Sequence, residues 1–368
     1  MIVTLILIAL VICGIWLFMK QPQFGKLPSG ERLNRIISSP NYKDGEFRNR
    51  HLTPQLTGDA NMFTITRKFF FGKSKLTKPP RPLPSKKTDL LNLPREKNIL
   101  VWFGHSSYFI QVDGKRILVD PVFSGAASPL SFTTKSFPGT DVYTTDDLPE
   151  IDYLFLSHDH WDHLDYETII KLKGKVRQLI TGLGTAAHLE YWGYTKDMII
   201  EKDWDEEIIL DDGFLVWTKT ARHFSGRTFR RNKASWLSFV LQTPTMKLYL
   251  GGDSGFDTHF AEIGSQYGPF DLAILECGQY NAYWKYIHMM PEETVQAGID
   301  LKAKNIMPVH WGKFSLSLHD WDEPIKRATA EAEKKNASLI YPMIGEEIDL
   351  RVLATGAKWW EGVVRGWD

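Results

Sequence analysis

The chain has 368 residues, of which 43% are hydrophobic, enough to bury a large core. Its 44 Lys and Arg balance 44 Asp and Glu, which excludes the overall electrostatic attraction that marks many nucleic-acid binders, so no nucleic-acid partner is expected. Two cysteines, Cys13 and Cys277, are too few for a disulfide framework, and the fold must rest on its core and on any metal it holds.

In chain order, Ile2 to Met19 is an 18-residue run without a charge. As a helix it would be about 27 Å long, close to the hydrocarbon thickness of a bilayer. A single membrane anchor over residues 1–20 is therefore expected. No Lys or Arg precedes the run, whereas Lys20, Lys26, Arg32 and Arg35 follow it. The positive-inside rule then places the C-terminal side, and with it the rest of the chain, in the cytoplasm, and a cleaved signal would carry its positive charge in front of the run.

Residues 21–98 are polar and proline-rich, ending in KSKLTKPPRPLPSKK, and are expected to form an arm with little regular structure. Arg67 to Lys87 holds eight basic residues and no acid, beside Phe69, Phe70 and Phe71. That composition suits an anionic membrane surface, and equally a solvated linker wrapped on the domain. From residue 99 short apolar runs alternate with Gly, Asp and Pro. ILVWFGHSSYFIQVDGKRILVDPVF reads as strands joined by a Val-Asp-Gly-Lys hairpin turn. Pro291 to Lys304 reads as a helix, with Pro in its first turn and Glu292 and Glu293 favouring its N-terminus. With no short repeat visible, one compact α/β domain over 99–350 is the simplest account. A Trp-rich tail, 351–368, follows; Trp359, Trp360 and Trp367 suit interfacial anchors, though packing on the domain is the commoner fate.

Residues 154–163 read LFLSHDHWDH, an apolar run ending in His158, His160, Asp162 and His163, four potential ligands within six positions. Imidazole nitrogen and carboxylate oxygen both bind zinc, and a tight loop at a strand end can direct alternate side chains at two adjacent metals. A polar loop that merely contains histidines is a poor account, because three of the 11 His residues fall in these six positions. Three further runs share the form: FLVWTKTARH ends at His223, LYLGGD at Asp253 and NIMPVH at His310. If these strands point the same way in packed sheets, their ends lie along one edge, where open sheets place ligands, and seven ligands converge.

These residues resemble the metallo-β-lactamase superfamily, whose signature H-x-H-x-D-H is met by His158, His160, Asp162 and His163. The second position is His160 rather than the Glu of the flavodiiron branch, and the bridging position is Asp253 rather than the Cys of true β-lactamases. Zinc hydrolysis is thereby favoured. A narrower resemblance, over most of residues 38 to 325, is to N-acyl-phosphatidylethanolamine-hydrolysing phospholipase D. It is carried by WFGHSSYFIQVDGKRILVDPVFSGAASPLSF, LSHDHWDHLD, GGDSGF and PVHWGKF, and by SPNYKDGEFRN well upstream of the metal motif. The resemblance implies an α/β fold, the αβ/βα four-layer sandwich, with two zinc ions at one edge of the sheets and, in this chain, a hydrophobic helix in front. It implies that His158, His160 and His223 hold one zinc, that Asp162, His163 and His310 hold the other, and that Asp253 bridges them.

The activity so implied is hydrolysis of N-acylphosphatidylethanolamine-type phospholipids to N-acylethanolamine and phosphatidic acid. A hydroxide bridging the zincs would attack phosphorus, so no protein nucleophile is required. The H-x-K-x-x-x-x-D motif of the other phospholipase D design is absent from the chain. Catalytic roles are expected for Asp253, which would orient the hydroxide, for Asp162, and for His288, which would contact the phosphate or the leaving group. Asp120, after a buried-looking strand, is expected to support a ligand histidine. His105 is a weaker candidate of the same kind, and Tyr280, with Tyr283 and Trp284, could line an acyl pocket or belong to the core. The expected partners are the phospholipid and a membrane. Two alternatives stand beside this reading. One keeps the metals and changes the substrate to a lactone or a nucleotide or RNA phosphodiester. The other is a non-catalytic zinc protein at a membrane surface, against which speaks the scarcity of Cys that closed structural sites favour.

Overall fold

The computed structural model describes residues 1–58 and 60–365. Helix α1 (Ile2–Phe18) has 17 residues, about 26 Å of rise against a hydrocarbon core of about 30 Å. Among the described residues no helix is long and apolar enough to cross a membrane. This overturns the expected transmembrane anchor over residues 1–20, and the cytoplasmic placement argued from its flanking charges falls with it. The reason lies at the helix end. Lys20 and Gln21 donate their N–H groups to Leu17 and Phe18, tightening the last turn, and Pro22 opens a separate short turn.

The segment from 21 to 98 is more ordered than its composition suggests. It contains α2 (Gly30–Ile37), a hairpin of β1 (Tyr42–Lys43) and β2 (Glu46–Phe47), and α3 (Met62–Phe71). Phe24, Ile36, Phe47, Leu83, Leu90 and Leu93 are buried. They are too widely spaced to give a helical or strand period, yet each anchors a stretch of chain to the domain. Backbone bonds from Phe47 to Asn232, Leu83 to Pro138 and Lys86 to Ile344 complete the wrapping.

Two mixed sheets follow. The first contains β3 (Ile99–Trp102), β4 (Tyr108–Val112), β5 (Lys115–Val119), β6 (Ile151–Leu156), β7 (Val176–Gly182) and β8 (Ile199–Lys202). The second contains β9 (Glu207–Ile209), β10 (Leu215–Thr220), β11 (Leu237–Gln242), β12 (Lys247–Leu250), β13 (Leu272–Glu276) and β14 (Ile306–Val309). A last strand, β15 (Glu347–Asp349), returns to the free edge of β3, giving sheet orders β15-β3-β4-β5-β6-β7-β8 and β14-β13-β12-β11-β10-β9. The hairpin read from Val-Asp-Gly-Lys joins β4 to β5, with Asp113 and Gly114 both at positive φ as a two-residue turn of matching twist requires.

The strands read as unbroken apolar runs because both faces are covered. Alternate residues divide between two cores. Leu100, Trp102, Tyr153 and Phe155 face the second sheet. Ile99, Val101, Leu154 and Leu156 face outward, where Ile169 and Leu172 of α4 (Tyr166–Leu172) and Leu189 of α5 (Ala186–Tyr191) cover them. On the far side α6 (His259–Tyr267), α7 (Pro291–Asp300) and α8 (Glu323–Lys335) supply Phe260, Val295 and Ile325 to the inner core. The tail packs rather than projecting. Trp359 stacks on Trp311 with centroids 5.3 Å apart, and Trp360, the first residue of α9 (Trp360–Arg365), meets the same ring edge-on. Trp367 lies outside the described residues. Cys13 and Cys277 are both free.

The registers fix direction. β3, β5 and β6 run one way in the first sheet, and β10, β12, β13 and β14 run alike in the second. Each of these strands ends at, or within three residues of, a residue of the site.

Candidate metal centre

From β6 the chain enters the loop 158–163, and the neighbouring strand ends deliver His223, Asp253 and His310 to the same place. His158, His160, His223 and Asp253 bring one ligand atom each to within 4.8 Å of one another, and so do His105, Asp162, His163 and His310. Asp253 lies between the groups: its Oδ1 is 3.2 Å from His163 Nε2, and its Oδ2 is 3.3, 3.6 and 3.9 Å from Nε2 of His310, His223 and His158. Close packing of the sheets makes this possible. At Gly252 a Cβ would stand 2.5 Å from the Leu237 carbonyl and 2.8 Å from Ser157 Cβ, so only glycine lets Asp253 approach the loop.

Hydrogen bonds on the far side of each ring show what the near side can do. His223 Nδ1 lies 2.8 Å from the Ile287 carbonyl, which can only accept, so its Nε2 carries a lone pair. His163 Nδ1 donates at 2.8 Å to Asp120 Oδ2, leaving His163 Nε2 buried without a hydrogen-bond partner. Asp120 is held in turn by the Ser157 N–H on its other oxygen. His158 Nε2 and His223 Nε2 converge on His160 Nδ1 at 2.9 and 3.2 Å. Nitrogen lone pairs crowded in this way, a buried nitrogen without a partner and two carboxylates between them fit a divalent cation of the kind imidazole and carboxylate bind.

The electrostatics agree. Burial first, and then the neighbouring imidazoles, hold His158 and His223 well below the ordinary histidine value, and burial lowers His160 to about 4. His163 and His310 move the other way: burial opposes their charge, yet Asp253 and Asp162 raise His163 well above the usual value and His310 to about 10. Burial works against ionising Asp162 and Asp253 too, but His163 and its neighbours hold both well below the carboxylate range. A bound cation would take the place of the protons on His163 and His310.

The remaining candidates divide. His105 is fully buried, and its Nε2 sits 2.8 Å from Asp162 Oδ2. Its backbone exchanges hydrogen bonds with His310 and Trp311, tying the ends of β3 and β14 together. His105, Asp120 and His310 all have positive φ, a conformation non-glycine residues keep only where surroundings hold them. His288 stacks on His310 at 5.2 Å and lines the cavity beside the cluster. Tyr280 points elsewhere: its hydroxyl donates to Glu323 at 2.7 Å and its ring stacks on His319, so it belongs to the packing under α8. Two residues escaped the sequence reading. Glu276, the last residue of β13, is 1% exposed and touches both His288 and His310. Asp159, a spacer within the metal motif, accepts from the Gly226 N–H and lies 3.4 Å from His188 Nε2.

Asp159 belongs to a clasp that holds the loop from behind. Arg227, 4% exposed, donates to the carbonyls of Asp159, Leu164 and Gln23, with its guanidinium 3.9 Å from the Trp161 ring centre. Burial pushes Arg227 down to about 10, still charged at neutral pH. Residues 22–26 complete the clasp through Phe24 against Trp161, the Pro22 carbonyl on Trp192 Nε1 and the Lys26 N–H on His188 Nδ1. Replacing Arg227 by Met should cost about 1–3 kcal/mol, because it leaves the buried carbonyls of Asp159 and Leu164 without their donor. A lowered urea midpoint measures this.

A family model described as a beta-lactamase superfamily domain matches residues 115–311. The uncharacterized protein Rv0906 of Mycobacterium tuberculosis is 36% identical over 333 residues, covering 88% of this chain and 87% of its own length. N-acyl-phosphatidylethanolamine-hydrolyzing phospholipase D 1 of Caenorhabditis elegans is 28% identical over 262 residues, 67% of this chain and 74% of that protein. Among solved structures, the metallo hydrolase Igni18 of the archaeon Ignicoccus hospitalis superposes with a TM-score of 0.53 at 20% identity, covering 69% of this chain and 98% of its own, a likeness of fold. Because the family model matches more than half of the chain and the matched residues carry every strand end from Asp120 to His310, the chain belongs to the metallo-β-lactamase superfamily and is a metal-dependent hydrolase.

Proposed function

We propose that the protein hydrolyses N-acylphosphatidylethanolamine-type phospholipids to N-acylethanolamine and phosphatidic acid with two zinc ions. The observation that carries this reading is the cavity of about 510 Å³ beside the cluster. It is lined by His160, Asp162, His223, Asp253, His288 and His310 of the cluster and by the apolar Leu56, Ile65, Phe69, Trp284 and Leu316, with Gln55, Arg231 and Gln279 among them. A charged phosphodiester joined to acyl chains has the same mixed chemistry, and the name of the nematode relative points to the same substrate class.

In this proposal His158, His160 and His223 hold one zinc, Asp162, His163 and His310 hold the other, and Asp253 serves both. When bound, the ions supply a water deprotonated near neutral pH and a Lewis acid for a phosphoryl oxygen. The chain's own residues do the rest. Asp253 accepts a hydrogen bond from the attacking water, and Asp162, fixed by His105, keeps its neighbour His310 in place. The water oxygen bonds to phosphorus as the bond from phosphorus to the ethanolamine oxygen breaks. His288, with Nδ1–H toward Glu276, acts as the imidazolium: it delivers the proton on Nε2 to the leaving oxygen and is left as the neutral Nδ1–H ring. Phe69, stacked 6.4 Å from Trp284, holds an acyl chain. Phe69→Ala is expected to raise KM for long-chain substrate about tenfold with kcat changed less than about twofold, the pattern of lost uniform binding.

The test is mass spectrometry of products after the zinc-loaded protein meets a mixed phospholipid pool containing N-acylphosphatidylethanolamine. Phosphatidic acid and N-acylethanolamine together support the proposal. Intact lipids after incubation with folded, zinc-loaded protein would reject it and turn attention to lactones and nucleotide phosphodiesters.

A further inference from the structure

We propose that Glu276 is a positioning residue that sets two imidazoles at once, His310 on the metal side and His288 on the substrate side. The inference rests on the two-metal reading for His310 and on the lipid reading for His288. Glu276 closes β13 with its side chain buried. The Met289 N–H donates to Oε1 at 2.7 Å and fixes the carboxylate plane. The other oxygen, Oε2, lies 3.1 Å from His288 Nδ1 and 3.3 Å from His310 Nδ1. The Gly278 carbonyl, at 3.4 Å, is a second acceptor for His310 Nδ1.

A carbonyl and an ionised carboxylate only accept, so His288 presents Nδ1–H to Glu276, His310 presents Nδ1–H to the Gly278 carbonyl with Glu276 beside it, and both rings turn Nε2 away. For His310, Nε2 then faces Asp162 and Asp253 at 3.2 and 3.3 Å, the position from which it would bind a metal. For His288, Nε2 is left to the cavity, and the ring is braced by stacking on His310 and by an edge contact with His223 at 5.0 Å. One buried oxygen therefore ties ligand geometry to the placement of the proton donor. Both imidazoles lie near Asp253 as well, and these four residues form a third cluster of converging donors.

The experiment uses the full chain with Glu276→Gln, His288→Ala and the double variant. Zinc affinity is read by competition with a chromophoric chelator, and kcat and KM on vesicles containing N-acylphosphatidylethanolamine. The glutamine has the same shape but one acceptor oxygen for three donors. Glu276→Gln should weaken zinc binding about 10- to 100-fold, the usual effect of losing such a partner. It should lower kcat by a similar factor with little change in KM. In the His288→Ala background the loss in kcat should shrink several-fold while the loss in zinc affinity persists, because only the path through His288 is gone. Unchanged zinc affinity, or the same loss of kcat in both backgrounds, overturns the proposal. The zinc arm needs no substrate, so a failure of the lipid reading is distinguishable from a failure of this one.

Discussion

Asp253→Ala should lower kcat/KM by at least about 10³-fold, the largest effect of any single substitution in this site. Asp253 is the side chain placed between both histidine groups, with one oxygen toward His163 and the other toward His158, His223 and His310. Its loss removes negative charge from among four imidazoles, so metal retention falls together with activity. Asp253 Oδ1 has no hydrogen-bond partner, but Oδ2 lies within ion-pair reach of His158, His223 and His310, so the variant's fold is checked alongside its activity. Asp253→Asn separates charge from shape. It keeps the volume beside Gly252 and is expected to fail almost as badly, whereas a purely steric role would leave it active. Metal analysis, circular dichroism and steady-state kinetics on the same preparations decide between these.

Removing the metal is the second large effect. Dialysis against a strong chelator should reduce turnover by at least about 10³-fold, and zinc alone should restore it. Stability should follow. A ligand that binds only the folded state adds about 2.7 kcal/mol at a free concentration one hundred times its dissociation constant. The metal-free chain keeps His158, His160 and His223 buried with their nitrogens facing one another, and Asp253 and Asp162 favour the charged forms of His163 and His310. A melting temperature that rises on zinc addition, and falls again with chelator, is the expected result. A melting temperature indifferent to zinc would mean that the cluster is merely a satisfied polar core.

Much of this arrangement was legible in the chain because the strands are simple. Apolar runs ending in His223, Asp253 and His310 announce strand ends, and parallel neighbours in the sheets bring those ends together. LAILE follows the same rule and ends in Glu276, yet a lone Glu after a strand reads as a solvent-facing terminus. Its meaning comes only from His288 and His310, 12 and 34 positions away in sequence and within hydrogen-bonding range in space. Asp159 was hidden for a similar reason, because a spacer in a ligand motif carries no signal until Gly226, Arg227 and His188 close around it. The wrapped segment before β3 escaped because single residues such as Phe47 and Leu83 anchor it, and isolated anchors have no period. At the N-terminus the apolar run was read correctly as helix. Its length was overstated, since the last turn tightens at Phe18 and Pro22 starts a new one.

The central claim, direct attack of water on phosphorus at a metal cluster, is tested most directly by turnover of N-acylphosphatidylethanolamine in ¹⁸O-enriched water. The account predicts one ¹⁸O in the phosphate of phosphatidic acid and none in the N-acylethanolamine. Label in the N-acylethanolamine hydroxyl would show that the carbon–oxygen bond breaks, and would contradict it.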